Sequence, residues 1–370
     1  MMNFLNNMNL LPKNFIVANI VEVLKEDPEN GVEKLYEMSG TFITDPQVKG
    51  IITQIKAYYD THPSIKRYVK NMIYNTNKTC LNHFLQNIAV KELWEGLSIR
   101  EQMSKQYHIH VPHALVIHIG MNCSLQCRGC LCKSDPTFAM SLTEIDRLVT
   151  EARELGIHMV VMTGGDPFIN DHLVNVYEKY DDIEFIVITN GSLLNDQRCQ
   201  ALSKLGNVLP LVTLEGKSEE VEQSIDSTAY TQILASLDRM KSHGILFGVL
   251  TPTKHSNLKL VTSDDFILPL IRKGSRMNWY VTSSHIATAE QLSANELDEL
   301  EAHVSFIRQT RPYVTVVLES GNPFICRCVL GPLFFHYDFN GENQQLFFPQ
   351  LSVKNSQNQR LIEILRGIQS

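Results

Sequence analysis

The sequence predicts an α/β fold built around a parallel sheet. Six short apolar runs follow one another from residue 114, and helical periodicity fills most of the gaps between them. Near-continuous apolar strands separated by crossover helices are typical of a parallel sheet that is covered on both faces. The pattern fits either a partial (β/α) barrel or a doubly wound sheet, since six strand–helix units are too few for a complete eightfold barrel.

The elements of this region follow from the apolar pattern and from capping residues. The predicted strands are 114–119, 159–163, 184–190, 208–215, 245–251 and 277–283. The predicted helices between them are 142–155, 196–205, 230–243 and 264–272. Ser141 and Glu144 form a capping-box pattern, which marks the start of the first of these helices.

Three regions are predicted along the chain. Residues 1–112 form a helical N-terminal region, because apolar residues recur there at three- and four-residue spacing and strand-like runs are few. Residues 113–284 form the α/β core. Residues 285–370 form an extension with a helix over 294–309, an apolar run over 314–318 and a final helix over 359–368. Within it, Asn340-Gly341 predicts a hairpin between 334–339 and 346–348.

Composition excludes several classes of partner. The chain of 370 residues has a net charge of −7 and carries no Lys/Arg run, so we expect no nucleic-acid partner. No apolar stretch approaches the roughly 18 residues that a membrane-spanning helix needs, so no transmembrane segment is expected. The first residues lack the basic segment and apolar core of a secretory signal, which favours a cytoplasmic location.

The cysteines indicate a metal site. Four of the eight lie within ten residues, and Cys123-x3-Cys127-x2-Cys130 follows the first predicted strand. Three thiolates can hold a 4Fe–4S cluster and leave one iron open to another ligand. Zinc is the alternative at this stage, although a zinc site more often has four protein ligands.

The cysteine motif, together with Gly-Gly-Asp-Pro after the second strand, resembles the radical S-adenosylmethionine (radical SAM) superfamily over residues 114–283. This resemblance implies a partial (β/α)6 TIM-like barrel with a helical N-terminal region and a small α+β C-terminal extension. It also implies an oxygen-sensitive enzyme in which Cys123, Cys127 and Cys130 hold a 4Fe–4S cluster. Reductive cleavage of S-adenosylmethionine would then give a 5′-deoxyadenosyl radical that abstracts hydrogen from the substrate.

The resemblance also implies a set of cofactor-binding residues at the ends of three strands. The segment 163–167 matches the family's GGEP turn, whose backbone and carboxylate bind the methionine amino group. Segment 188–191 matches the TNG segment of the third strand, and 213–216 lies where the family often has Ser-x-Asp-Gly. The predicted cofactor-binding residues are Thr163, Gly164, Gly165, Asp166, Asn190 and Glu215.

Three departures from the family pattern bear on cofactor geometry. Gly129 replaces the usual aromatic residue before the third cysteine, and Asp166 is one methylene shorter than the family's glutamate. The fifth strand has Gly248-x-x-Thr251 where many members have a Gly-x-x-Glu-like segment. None of these changes removes a cluster ligand.

The remaining cysteines have other predicted roles. Cys132 is interpreted as a bystander, and Cys80 and Cys199 as buried small apolar residues in helices. Cys326-x-Cys328 lies in a stretch similar to SPASM-type tails that hold an auxiliary cluster, but the cysteine expected after the hairpin is missing. Two thiols one residue apart rarely suffice for a cluster, so a second cluster is disfavoured against a substrate-facing thiol pair or structural cysteines.

The resemblance implies partners but not a complete reaction. It implies a flavodoxin or ferredoxin-type electron donor and a substrate that is a peptide, a lipid or a small metabolite. No catalytic acid or hydrogen donor can be assigned from spacing. The competing hypothesis is a non-catalytic iron–sulfur or zinc-binding sensor or interaction protein with a decayed radical SAM site.

Overall fold

The computed structural model describes residues 13–42, 46–125, 139–216, 227–283, 288–320, 334–338 and 359–369. Its strands are β1 (Ala114–His118), β2 (Met159–Thr163), β3 (Glu184–Thr189), β4 (Val208–Thr213), β5 (Gly248–Thr253), β6 (Met277–Ser283), β7 (Val314–Ser320) and β8 (Phe334–Asp338). All pair in parallel, in the order β7-β6-β5-β4-β3-β2-β1-β8. The sheet curls into a half-barrel, so the predicted partial TIM-like α/β fold is confirmed.

Helices precede the sheet and connect its strands. The N-terminal helices are α1 (Lys13–Glu26), α2 (Gly31–Phe42), α3 (Pro46–Thr61), α4 (Pro63–Asn75), α5 (Lys78–Phe84), a π-helical segment (Leu85–Gly96) and α6 (Leu97–Tyr107). The later helices are α7 (Leu142–Glu154), α8 (Leu173–Lys179), α9 (Asp196–Leu205), α10 (Ser227–Ser242), α11 (Leu258–Val261), α12 (Asp264–Arg272), α13 (Ala294–Thr310) and α14 (Leu361–Gln369). Among the described residues, no helix is both long and apolar enough to cross a bilayer.

Side-chain caps set the start of several helices. Ser141 Oγ accepts a hydrogen bond from the backbone N–H of Glu144 at 3.2 Å, as the sequence pattern predicts. Asn195 Oδ1 accepts from the Arg198 N–H at 2.8 Å at the start of α9. These bonds satisfy backbone donors that have no partner within the first turn of a helix.

The sheet gains two strands from the region predicted as a C-terminal extension. Strand β7 extends the 314–318 run and pairs with β6, while β8 pairs with β1 at the opposite edge. The first arm of the predicted hairpin is therefore a strand, but it lies in the main parallel sheet. The predicted turn and second arm fall outside the described residues.

The predicted boundaries of the fifth strand are wrong. Strand β5 spans Gly248–Thr253, whereas the apolar run predicts 245–251. Ile245, Leu246 and Phe247 are buried in the segment that leads into the strand. These residues are apolar because they are buried, although they lie outside the strand. An apolar run by itself does not distinguish a strand from a buried connecting segment.

The two faces of the sheet pack against different helices. Leu115 and Ile117 of β1 lie in the core cluster that contains the crossover helices, whereas Val116 lies in a second cluster with Met72 of α4 and Leu81 of α5. Side chains alternate between the faces of a strand, which explains this division. The crossover helices cover the convex face, so the N-terminal helices pack against the concave one.

Polar side chains join the N-terminal helices to the loops that precede β3 and β5. The Asn77 backbone N–H donates to the Gly244 carbonyl at 2.8 Å, and its Nδ2 donates to the His243 carbonyl at 3.0 Å. Asn87 Nδ2 donates to the Asp181 carbonyl at 3.1 Å. These loops lie at the amino ends of the strands, so the helical region closes that end of the half-barrel.

Glu184, the first residue of β3, is a buried carboxyl at this closed end. Its side chain faces Asn87, whose Nδ2 donates to Oε2 at 3.4 Å. Burial raises the pKa of Glu184 to about 8, and the Asn87 hydrogen bond opposes that shift only in part. Asn87 Oδ1 has no hydrogen-bond partner among the described residues, so it is available to accept a hydrogen bond from the O–H of a protonated Glu184 carboxyl.

This carboxyl makes the stability of the protein depend on pH. Because its pKa rises from 4.5 to about 8 on folding, the folded state holds a proton in this window that the unfolded state has released. We therefore expect the free energy of unfolding to fall by roughly 1.4 kcal/mol per pH unit between these values from this group alone. Glu184→Gln should remove this contribution, so its stability relative to wild type should increase from pH 6 to pH 8.

Urea unfolding of both proteins at the two pH values measures this difference. Glu178→Gln makes the same change at an exposed position on α8 and serves as the control. A stability difference between the Glu184 variant and wild type that does not change with pH would contradict a neutral buried Glu184.

Candidate functional site

The site lies at the carboxyl ends of β1 to β5, opposite the end that the N-terminal helices close. Residues 163–167 follow β2 and form a tight turn against the segment that leaves β1. The Gly165 N–H donates to the Gly120 carbonyl at 2.8 Å, and the Asp166 N–H donates to the Asn122 carbonyl at 2.6 Å. The turn is thereby joined, through backbone alone, to the residue that precedes Cys123.

Two glycines make this backbone contact sterically feasible. A Cβ atom on Gly164 would lie 2.4 Å from the Gly120 carbonyl oxygen, and one on Gly165 would lie 1.8 Å from that of Asn122. Gly164 also has φ of 136°, a conformation that other residues rarely adopt. The two glycines therefore allow the turn to lie directly against the segment that leads to Cys123.

Asp166 is buried beneath the turn, with 3% of its surface exposed. One carboxylate oxygen accepts from the Phe168 N–H at 3.1 Å. The other accepts from Thr189 Oγ1 at 2.9 Å and from the Asn190 N–H at 3.3 Å. Burial raises the pKa of this carboxyl, and these hydrogen bonds oppose the rise. Asp166 thus holds the turn after β2 to the end of β3, and its predicted contact with the methionine amino group stays a prediction.

Asn190 connects the end of β3 to the cysteine loop. Its Nδ2 lies 3.5 Å from Cys123 Sγ and donates to Ser124 Oγ at 3.1 Å. Its Oδ1 accepts from the Ser192 N–H at 2.8 Å, and the hydroxyls of Ser124 and Ser192 lie 2.8 Å apart. The segments after β1 and β3 are therefore linked by side chains as well as through Asp166.

The structure describes one of the three predicted cluster ligands. Cys123 lies half-buried in the loop after β1. Cys127 and Cys130 fall outside the described residues, as do Cys132, Cys326 and Cys328. Within the described ranges, no three His, Cys, Asp or Glu side chains converge into a metal site.

Cys80 and Cys199 are buried in α5 and α9, in keeping with the sequence prediction. Burial raises the pKa of each thiol to about 11, because the thiolate is poorly solvated there. Both side chains therefore remain protonated at neutral pH and serve as small packing groups.

Glu215, the predicted residue after β4, forms an ion pair at the open end of the sheet. Its Oε2 lies 3.4 Å from Lys254 Nζ, and about a third of each side chain is exposed. Asn257 Nδ2 donates to the Pro252 carbonyl at 2.9 Å and to the Glu215 carbonyl at 3.4 Å. The loops after β4 and β5 are thus held together at the open end of the sheet.

Sequence reasoning did not identify Lys254 or His118 as site residues. Lys254 directly follows β5, and this position at the carboxyl end of a strand is the sequence feature that could have identified it as a site residue. His118 is the last residue of β1, is 1% exposed, and pairs in register with Thr163 of β2 and Asp338 of β8. Burial lowers the pKa of His118 to about 4, so a neutral imidazole lies at this end of the sheet.

Comparison with known families agrees with this arrangement. Residues 117–258, which run from β1 to just beyond β5, match the model of the Radical SAM superfamily. The chain contains a radical SAM domain. The cysteine loop, the turn after β2 and the ends of β3 and β4 all belong to this domain.

Related proteins match only part of the chain. The GTP 3′,8-cyclase of Limosilactobacillus fermentum is 30% identical over 117 residues, which are 30% of this chain and 35% of that protein. The GTP 3′,8-cyclase of a Synechococcus species is 26% identical over 185 residues, which are 43% of this chain and 50% of that protein. The chain thus spans about a third to a half of the length of these relatives.

A solved structure shows the same fold. The crystal structure of Streptococcus suis SuiB bound to S-adenosylmethionine superposes with a TM-score of 0.50 at 15% identity, covering 74% of this chain and 68% of that one. SuiB bound to its precursor peptide SuiA also gives 0.50, at 13% identity. At this sequence identity the likeness shows the fold alone.

The described residues fit the 4Fe–4S cluster that a radical SAM domain implies. Cys123 lies at the carboxyl end of the sheet, where α/β folds bind ligands. The Asn190 amide is directed at its sulfur, and an N–H donor suits a thiolate ligand. Gly164 and Gly165 leave the space that lets the adjoining turn approach this loop.

Gly165→Ala should destabilise the radical SAM domain, because the added methyl group would overlap the Asn122 carbonyl. We expect a loss of about 1–3 kcal/mol in the free energy of unfolding, as for overpacked sites. Gly50→Ala is the matched control, since Gly50 lies exposed on α3 with no atom within 4 Å of the added Cβ, and it should stabilise the helix by about 0.5–1 kcal/mol. Thermal and urea unfolding measure the stability of both variants. Equal stability of the two would contradict the tight contact between Gly165 and Asn122.

Proposed function

We propose that this protein is a radical SAM enzyme that reductively cleaves S-adenosylmethionine. The observation that carries the proposal is the joining of the Cys123 loop, the turn after β2 and the end of β3 through Asp166 and Asn190. The predicted cluster ligand Cys123 and two of the three predicted cofactor-binding segments are thereby contiguous at the open end of the half-barrel.

In this proposal, Cys123, Cys127 and Cys130 hold a 4Fe–4S cluster. When bound, the cluster and S-adenosylmethionine together supply one-electron reduction of the sulfonium, which yields methionine and a 5′-deoxyadenosyl radical able to abstract hydrogen from a substrate. Residues 163–166 offer backbone groups to the methionine end of the cofactor. Asn190 and Glu215 offer polar side chains to the ribose hydroxyls.

The concave face beneath the site protects it from water. Leu250, Trp279 and Val281 are buried on this face, in the cluster that the N-terminal helices complete. In the proposed enzyme these apolar side chains exclude water at the closed end, and substrate exchange takes place at the open end. There, Glu215 and Lys254 place a pair of opposite charges beside the entrance.

The substrate is a peptide, a lipid or a small metabolite in this proposal. The similar proteins suggest two classes of substrate, since one relative is a GTP 3′,8-cyclase and SuiB was solved with a precursor peptide. A flavodoxin or ferredoxin-type protein supplies the electron. We place the reaction in the cytoplasm.

Anaerobic reconstitution with iron and sulfide, followed by dithionite and S-adenosylmethionine, tests the proposal. Wild type should release 5′-deoxyadenosine, measured by liquid chromatography and mass spectrometry. Cys127→Ala should reduce the product to background because a ligand is lost. Cys199→Ala should retain cleavage, since this buried thiol lies in α9 away from the loop.

Two results would contradict the assignment. Loss of cleavage in the Cys199 variant, with the fold intact by circular dichroism, would mean that the ligands are assigned incorrectly. A wild-type protein that binds iron or zinc but releases no 5′-deoxyadenosine would instead support the non-catalytic metal-binding alternative.

A further inference from the structure

We propose that Asn190 donates an N–H···S hydrogen bond to the cluster ligand Cys123 and thereby raises the reduction potential of the cluster. Asp166 is the positioning residue that holds Asn190 in place for this contact. The inference rests on the proposed function, because it concerns the cluster that the radical SAM domain is proposed to hold.

The orientation of the Asn190 side chain is determined by its neighbours. The Ser192 backbone N–H can only donate, and it lies 2.8 Å from one amide terminus of Asn190, which must therefore be the oxygen. The other terminus is then the NH2 group, and it faces Cys123 Sγ at 3.5 Å and Ser124 Oγ at 3.1 Å. The NH2 group has two N–H bonds, so it can donate to Cys123 Sγ and to Ser124 Oγ at the same time.

The backbone that carries this amide is held on several sides. The Asn190 N–H and the Thr189 hydroxyl both donate to the buried Asp166 carboxylate. The Gly191 N–H donates to Thr189 Oγ1 at 3.0 Å, and Gly191 has φ of 81°, which suits glycine. The amide therefore approaches the sulfur from a fixed frame, as an effective donor to a metal ligand requires.

The direction of the effect follows from electrostatics. Reduction adds one electron, supplied by dithionite or the donor protein, and increases the negative charge on the cluster and its thiolates. A hydrogen-bond donor at a ligand sulfur stabilises the more negative form more strongly, so it raises the potential. No bond is made or broken at Asn190 and no proton moves, so the residue acts solely through its dipole.

This role is separable from the predicted contact of Asn190 with the cofactor ribose. The hydrogen bond to Cys123 exists without S-adenosylmethionine, so the potential must be measured in its absence. A residue that only binds the cofactor would affect the dissociation constant for S-adenosylmethionine and leave the potential of the cofactor-free cluster unchanged.

Redox titration monitored by EPR, on the reconstituted full-length protein without S-adenosylmethionine, tests the inference. Asn190→Leu keeps the approximate shape and removes the donor. We expect about a tenfold lower ratio of reduced to oxidised cluster at the wild-type midpoint, which for a one-electron couple corresponds to a shift of about 59 mV to more negative potential.

Asn190→Asp is the second variant, because it retains an oxygen for the Ser192 N–H and places a carboxylate oxygen towards Cys123. Its potential should shift in the same direction and at least as far. Asn175→Leu makes the control substitution at an exposed position on α8 and should leave the potential unchanged. Iron and sulfide content and circular dichroism establish that each variant holds the cluster and the fold.

An unchanged potential in both Asn190 variants, with the cluster assembled, would overturn the inference and leave the proposed function standing. Loss of the cluster from both variants with the fold intact would also overturn it, since Asn190 would then serve cluster assembly rather than tuning. Failure of wild type to assemble an iron–sulfur cluster would instead refute the proposed function itself.

Discussion

The hydrogen bonds of the buried Asp166 carboxylate are the constraint on which the site depends. This one side chain caps the turn after β2 and holds the end of β3 through Thr189 and Asn190. The same turn is joined by backbone to the segment that leads into the cysteine loop. Three strand ends are therefore set relative to one another by this buried carboxylate and by the backbone of its turn. A carboxylate is costly to bury unless its lone pairs find donors.

The end of the half-barrel that the N-terminal helices close explains why the site lies at the carboxyl ends of the strands. The N-terminal helices pack on the concave face and bond to the loops before β3 and β5. Their polar contacts include Glu184, a carboxyl kept neutral by burial. Because this end is filled with side chains, ligands have access to the carboxyl ends of the strands, where the glycine turn and the cysteine loop lie.

Much of the fold and site could be predicted from local pattern. Buried parallel strands need apolar side chains on both faces, so the runs at β1, β2 and β6 predicted those strands closely. The cysteine spacing and the Gly-Gly-Asp-Pro segment identified the family. The role of Asp166 in joining the turn after β2 to β3 could not be predicted. The residue type indicates a carboxylate but not whether solvent or protein groups surround it.

The sequence by itself determined the order of the six core strands, the cysteine motif and the superfamily, since each depends on residues close together in the chain. Tertiary structure alone decided that β8 pairs with β1, that Ile245 to Phe247 precede β5, and that Asn190 faces Cys123. These features join segments far apart in sequence, and their geometry depends on how the sheet curls and on which polar groups are buried together. Local spacing carries no information about such distances, whereas the packed structure fixes them.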